Sequence, residues 1–177
     1  ARDAVADTER GFGAIDRIGV TVGPGSFTGL RVGLAFAQGL AAALDRPVVG
    51  VSALDALAAS AGEARAVAAL IDARRGQVYA RFWRDGEADG AAEALSLEAA
   101  AARIGAMGTG AVLVGSGAAL FAEAAAGPTL RVLDGPAPEA LARLVAAADP
   151  ALAPADDDRF VLQVRIVALL DRRVEGV

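Results

Sequence analysis

The glycine-rich segment from Gly23 to Gly29 is the first stretch of this sequence whose residue types can do chemistry. After a run of β-branched residues the chain reads Gly23, Pro24, Gly25, Ser26, Phe27, Thr28 and Gly29. Glycines around a proline allow a sharp turn, and Ser26 or Thr28 can cap a following helix, whose first N–H groups can bind an anion. The spacing misses the dinucleotide fingerprint by one residue, and no lysine is present for a P-loop. The sequence therefore favours a structural turn over a phosphate-binding loop.

Asp72 is the second candidate for chemistry. It ends a predicted strand beside a turn, where a carboxylate can coordinate magnesium. The same position also suits an ordinary turn residue, since aspartate side chains accept hydrogen bonds from nearby backbone N–H groups. We favour the turn residue.

Missing residue types narrow the choice of chemistry further. The 177 residues contain no histidine and no cysteine, and all 17 basic residues are arginine. A histidine general base, a thiolate nucleophile, a zinc site of the usual ligands and a Schiff-base lysine are therefore excluded. We expect no catalytic residue and no metal site.

Charge and hydropathy limit the partners. The net charge of −5 disfavours direct binding of tRNA or other nucleic acid. The apolar run from Val32 to Leu44 is too short to span a bilayer, and the charged N-terminus lacks the apolar centre of a signal peptide. We expect a cytoplasmic protein that does not bind membranes directly.

Strand and helix patterns alternate along the chain, which predicts an α/β fold. Residues 18–22 and 47–51 read as buried strands around a helix at 28–44, and Ser52 can cap a helix that runs to residue 62. A hairpin follows, with strands at 66–72 and 77–84. The remaining predictions are a helix capped at Ser96, a strand at 111–114, a helix to residue 126, a strand at 129–133 and a helix at 138–148. The run at 160–170 fits a strand or a helix.

The helix at 28–44 is apolar nearly all round, so it must be covered on every side. Gly29, Gly33, Ala37 and Ala41 recur every four residues and form a smooth stripe that lets another helix approach closely. The sequence leaves open whether a partner protein covers this stripe or whether the whole helix lies in its own core.

Four blocks of sequence carry a resemblance to a known family. They run from Gly23 to Gly33, from Gln38 to Ala41, from Pro47 to Leu54 and from Ile71 to Tyr79. In order and spacing they resemble the TsaB (YeaZ) family, accessory subunits of tRNA threonylcarbamoyladenosine biosynthesis with a glycoprotease-like domain. The likeness is good over residues 1–84 and looser over residues 85–150.

The resemblance implies the actin-like, RNase H-like fold of two duplicated α/β domains, as in the actin-like ATPase superfamily. We place the first domain at residues 1–64, the second at 65–150 and a tail of uncertain placement at 151–177. Nucleotide-binding relatives hold adenosine at the turn formed here by residues 115–117, although a generic turn is favoured. The family begins with a strand hairpin that this sequence lacks. The first domain is therefore expected to be truncated, with an exposed apolar edge on the strand at 18–22.

The resemblance also implies a function. Such a chain is a non-catalytic partner of the TsaD-type catalytic subunit that modifies A37 of tRNA, in a complex with a TsaE-type ATPase. It can also form a homodimer when alone. ATP or ADP can bind in the complex, but this chain requires no cofactor. The implied pairing surface comprises Val5, Phe12, Leu30, Gly33, Leu34, Ala37 and Ala41. The rival hypothesis is a nucleotide-binding enzyme of the actin-like superfamily that uses the 23–29 loop and Asp72.

Overall fold

The computed structural model describes residues 11–122 and 127–148 and the backbone of residues 166–170. These residues form two compact units. The first contains residues 11–51, 141–148 and 166–170, and the second contains residues 52–140 apart from 123–126.

The described elements follow the predicted alternation. The strands are β1 (Ile15–Thr21), β2 (Val48–Val51), β3 (Ala66–Arg74), β4 (Gln77–Arg84), β5 (Glu87–Ala88), β6 (Glu93–Ser96), β7 (Val112–Val114), β8 (Thr129–Arg131) and β9 (Ile166–Leu170). The helices are α1 (Phe27–Leu44), α2 (Ala53–Ala59), α3 (Leu97–Met107) and α4 (Pro138–Ala147), with short 3-10 helices at Gly11–Ala14 and Ser116–Phe121.

The first unit is built on a three-stranded sheet in the order β2-β1-β9. β1 pairs with β2 in parallel, with Ile18 opposite Val48, and α1 connects the two strands. The predicted parallel crossover is thus confirmed. The core of this unit contains Ile18 and Val20 of β1, which are fully buried against Ala37 of α1.

β9 covers the second edge of β1. It runs antiparallel to β1, with Val167 opposite Gly19. The expectation of an exposed apolar edge on this strand is therefore wrong, because β1 has a hydrogen-bonded neighbour on each side. The backbone also settles the ambiguous C-terminal run as a strand at Ile166–Leu170.

Helix α4 also belongs largely to the first unit. A Cβ atom at Gly19 would collide with the side chain of Val145, so the missing side chain of Gly19 permits this contact. The guanidinium of Arg17 donates hydrogen bonds to the carbonyl oxygens of Val145 (3.4 Å) and Ala148 (3.2 Å). These carbonyls at the end of a helix lack partners within it, and an arginine there also opposes the negative end of the helix dipole.

The second unit has a six-stranded sheet in the order β5-β4-β3-β7-β8, with β6 also paired to β4. The predicted β3–β4 hairpin is confirmed, with Leu70 opposite Ala80. β7 is parallel to β3 and to β8. One core cluster joins α2 to this sheet through Leu54 and Leu57, and another joins α3 to it through Ile104.

The unit boundary differs from the predicted domain boundary at residue 64. Helix α2 groups with the second sheet because Leu54 and Leu57 share a buried cluster with Val67 and Ile71 of β3. The chain also returns to the first unit at Leu141, within α4. The helix predicted up to residue 126 is instead a 3-10 helix that ends at Phe121 among the described residues.

Candidate functional site

The Gly23–Gly29 loop connects the end of β1 to the start of α1. Ser26 is the N-cap, and its Oγ accepts a hydrogen bond from the N–H of Gly29 (3.4 Å). The N–H of Val22 donates to the carbonyl of Val51 (2.9 Å), which fixes the strand side of the turn. The loop thus has the geometry of a structural turn that begins the helix.

Most of the predicted pairing residues face the core of their own unit. Leu30 and Ala37 are fully buried, and Gly33 and Ala41 are also buried. Ala37 and Ala41 pack in one cluster with Ile18 and other residues of β1. The smooth stripe from Gly33 to Ala41 is therefore buried in its own unit, whereas Gly29 at its start is exposed. The expectation that Leu30, Gly33, Ala37 and Ala41 lie on a free surface is corrected. Leu34 is half-buried in the same cluster.

Of the two predicted pairing residues before the loop, the structure describes one. Phe12 lies in the first 3-10 helix and is 37% exposed. Val5 lies outside the described residues.

The opposite face of α1 is the exposed apolar surface that the sequence did not single out. Phe27 is 51% exposed, Val32 66% and Phe36 51%. The rest of this face has small or polar side chains, and its further exposed members are Thr28, Arg31, Ala35, Gln38, Gly39, Ala42 and Ala43. We call Phe27, Val32 and Phe36, with these neighbours, the outer face of α1. Large apolar side chains that cluster on a surface are typical of a protein interface.

Arg31 is the single charged residue within α1. Its guanidinium carbon lies 3.9 Å from the centre of the Phe27 ring, and both side chains are exposed. This cation–π contact holds the arginine against the outer face.

Helix α1 also meets the length and composition of a membrane-spanning helix. The apolar run considered in the sequence was shorter, because the helix begins earlier, at Phe27. Its buried stripe packs on β1, while Arg31 and Gln38 are exposed on the outer face. A charged and an amide side chain are costly in lipid, so the outer face is poorly suited to a bilayer.

Asp72 acts as a turn residue at the end of β3. Its Oδ1 accepts a hydrogen bond from the N–H of Arg74 (2.7 Å), and its Oδ2 lies 3.4 Å from the Arg74 guanidinium. Within the described residues, no group of three or more carboxylate, histidine or cysteine side chains could hold a metal ion. Asp72 and the 23–29 loop belong to different units.

The turn at residues 115–117 is closely packed against β3. A Cβ atom on Gly117 would lie 3.0 Å from the carbonyl carbon of Leu70 and 3.2 Å from the N atom of Asp72. The Oγ of Ser116 accepts a hydrogen bond from the N–H of Asp72 (3.3 Å). Close packing explains the glycine at position 117, and the hydrogen bond explains the serine at position 116. Both contacts lie inside the second unit.

Comparisons with known proteins agree with the four sequence blocks. A family model described as "TsaD: tRNA N6-adenosine threonylcarbamoyltransferase" matches residues 1–116. The protein named tRNA threonylcarbamoyladenosine biosynthesis protein TsaB is 45% identical over 80 residues in Haemophilus influenzae and 51% identical over 67 residues in Escherichia coli. These matches cover 44% and 36% of this chain but only 34% and 29% of the two relatives.

Two solved structures match over most of the chain. YeaZ from Pseudomonas aeruginosa has a TM-score of 0.70 at 30% identity, over 92% of this chain and 80% of that chain. A protein described as similar to peptidase YEAZ from Pseudomonas aeruginosa has a TM-score of 0.70 at 31% identity, over 93% and 79%.

The two sheets with their helices, and the turn that begins α1, define an α/β protein of the actin-like, RNase H-like class. The predicted fold class is thus confirmed. With the family model covering well over half of its residues and a YeaZ structure matched over four-fifths of its length, the chain belongs to the TsaB (YeaZ) family.

Proposed function

We propose that this chain is a non-catalytic partner subunit in tRNA threonylcarbamoyladenosine biosynthesis, which pairs with a TsaD-type catalytic subunit. The names of the TsaB relatives support the pathway. The match to a family model named after the transferase supports a common ancestry with the catalytic subunit, and related subunits often pair through equivalent surfaces.

The outer face of α1 is the observation that carries the proposal. Val32 and Phe36 are neighbours one turn apart, and each leaves at least half of its surface exposed. Burial of a fully exposed side chain of this kind is worth about 1.5–3 kcal/mol, so covering the exposed half to two-thirds of one of them stabilises a complex by about 1–2 kcal/mol before the costs of association. The pairing surface therefore consists of the outer face, and not of the buried stripe that contains Gly33.

The residue types support a role without chemistry of its own. The sequence has no histidine, cysteine or lysine, and the Asp72 carboxylate is occupied by Arg74. We propose that the chain needs no cofactor, and that ATP or ADP and a TsaE-type ATPase act in the complex.

The net charge of −5 favours contact with tRNA through the partner. The setting we propose is the cytoplasm.

Co-purification with the TsaD-type subunit tests the pairing surface. Val32→Asp places a charge on the outer face, so we expect the dissociation constant to rise at least about tenfold. Val132→Asp is the matched control, because Val132 is a valine of similar exposure (56%) in the second unit. If Val32→Asp binds as tightly as Val132→Asp, the outer face is not the pairing surface.

Calorimetry with ATP and magnesium separates this proposal from a nucleotide-binding enzyme. The isolated chain is expected to release no heat of binding at micromolar nucleotide. Tight binding that Asp72→Asn abolishes would instead support the enzyme.

A further inference from the structure

Two hairpin turns of the second unit share one geometry but differ in residue type. Arg75 and Gly76 join β3 to β4, and Asp85 and Gly86 join β4 to β5. The first residue of each turn has a positive φ (53° and 51°), and so does the glycine that follows it (74° and 86°). Positive φ at both central residues is typical of a type I′ turn. The two turns can therefore be compared residue by residue.

Arg75 is the residue that the turn geometry does not explain. Type I′ turns favour Asn-Gly and Asp-Gly, because asparagine and aspartate tolerate a left-handed backbone better than long side chains do. Asp85 follows this preference, and its carboxylate pairs with Arg65 (2.9 Å). Arg74, just before the first turn, is also left-handed at φ 66°. Strained residues that folding does not require point to a role for their side chains.

Hydrogen bonds from neighbouring elements hold the tip of the β3–β4 hairpin in place. The N–H of Arg74 donates to Asp72 Oδ1 (2.7 Å), and the N–H of Asp72 donates to Ser116 Oγ (3.3 Å). The carbonyl oxygen of Gly76 accepts from the N–H of Leu97 at the start of α3 (3.2 Å). A backbone held in this way loses less conformational entropy when its side chains bind a ligand.

The Arg75 side chain carries a positive charge without a partner in the described part of the chain. The neighbouring Arg74 guanidinium lies 3.4 Å from the Asp72 carboxylate. Among the described residues, the Arg75 side chain makes no ion pair, hydrogen bond or ring contact, and Glu98 on α3 makes no ion pair with it. Residues 74–77 are all exposed. The tip therefore presents a cation to solvent.

The residue types of the tip suit a phosphate better than a protein surface. Arg74, Arg75, Gly76 and Gln77 include no large apolar side chain, whereas the centre of a protein interface is rich in apolar and aromatic residues. Arginine and glutamine donate hydrogen bonds to the phosphate oxygens of nucleic acids, and the planar guanidinium matches a phosphate group. The proposed function brings such an anion close, because the catalytic partner modifies tRNA.

We propose that Arg75, flanked by Arg74 and Gln77, contacts a backbone phosphate of the tRNA that the catalytic subunit holds. The contact rests on the proposed function and lies in the second unit, apart from the outer face of α1 in the first. The net charge of −5 disfavours RNA binding by the chain alone, so the catalytic subunit supplies most of the affinity. A phosphate contact carries no sequence information, so Arg75 orients the tRNA and does not select it.

Arg75→Asn tests the contact in a chain that remains folded. The substitution removes the charge and gives the turn the favoured Asn-Gly pair, so stability should be equal or higher. Arg84→Asn is the matched control, because it removes the same charge from an exposed arginine at the far end of β4, about 23 Å from Gln77.

Fluorescence polarisation measures the binding of an unmodified tRNA transcript containing A37 to the complex of this chain with the TsaD-type subunit. Arg75→Asn is expected to weaken binding at least about threefold relative to Arg84→Asn. The slope of log affinity against log salt concentration should fall by about one, since one phosphate contact is lost.

Co-purification of the same variants with the TsaD-type subunit separates the outcomes. Both variants are expected to pair normally. Equal tRNA affinity and equal salt slope for Arg75→Asn and Arg84→Asn overturn the phosphate contact and leave the proposed function in place. Loss of pairing in Arg75→Asn also overturns it, since the anion is then a carboxylate of the protein partner. If the unaltered chain forms no complex, the proposed function fails and the tRNA contact fails with it.

Discussion

At the scale of one residue, the absence of a side chain at Gly19 determines how closely helix α4 packs on β1. Val145 of α4 occupies the place that a Cβ atom at Gly19 would need, and Gly19 itself lies in the central strand of its sheet. The short run around this residue predicted a strand, but nothing in the sequence indicated which helix would press against it. The contact joins residues 126 positions apart in the chain, and a local sequence pattern cannot predict a contact at that separation.

We predict that Gly19→Ala lowers the free energy of unfolding by about 1–3 kcal/mol, because the added methyl group must displace α4. Gly39→Ala is the control, since it fills open space on α1 and replaces glycine within a helix, which should stabilise by up to about 1 kcal/mol. Urea denaturation followed by circular dichroism measures both. Equal stability of Gly19→Ala and the original chain would contradict the close contact.

At the scale of elements, α1 was predictable in extent but not in orientation. Ser26 at its start marks the N-terminus through ordinary capping chemistry, and the predicted and observed ends agree at Leu44. Both faces of α1 are apolar, so the sequence could not decide which one meets the sheet. The small residues of the smooth stripe leave open whether a partner or the chain's own core covers it, and only the resemblance assigns it to a partner. Small residues also let a helix approach its own strand closely.

Weak strands were the other elements that the sequence did not reveal. β5 and β6 contain Glu87 and Glu93, which have low strand propensity, and both are held by pairing with β4. Their formation depends on a neighbouring strand, which is tertiary information.

We predict that Ser26→Ala costs about 1 kcal/mol of stability through loss of the N-cap, while Thr28→Ala costs much less. The Oγ of Ser26 accepts the N–H of Gly29, and Thr28 is an exposed residue in the first turn of α1. Thermal unfolding of the two variants gives the comparison. A larger loss for Thr28→Ala would show that the cap is misassigned.

At the scale of the whole molecule, the chain divides differently from the duplicated domains that the resemblance implied. The first unit is discontinuous, because α4 and β9 return to it after the second unit is complete. The fold class followed from the alternation of strands and helices and from the four sequence blocks. The discontinuity did not, since it depends on the long-range pairing of β9 with β1.

The second unit has its own sheet with core clusters on both α2 and α3, and its residues are continuous in sequence. We predict that a fragment of residues 52–140 folds alone, with dispersed amide signals in a proton–nitrogen correlation spectrum. Leu113→Ala should abolish this dispersion, since Leu113 is fully buried in the sheet. A collapsed spectrum for the unaltered fragment would show that the second unit needs the first.

The pairing of β1 with β9 has a consequence for the order of events during synthesis. Residues 15–21 leave the ribosome early, but their antiparallel neighbour at residues 166–170 is made about 150 residues later. At roughly 5–20 residues per second, β1 waits about 8–30 s with one edge open. The continuous second unit can complete its sheet during that delay, so the part of the chain that begins first is the part that finishes last.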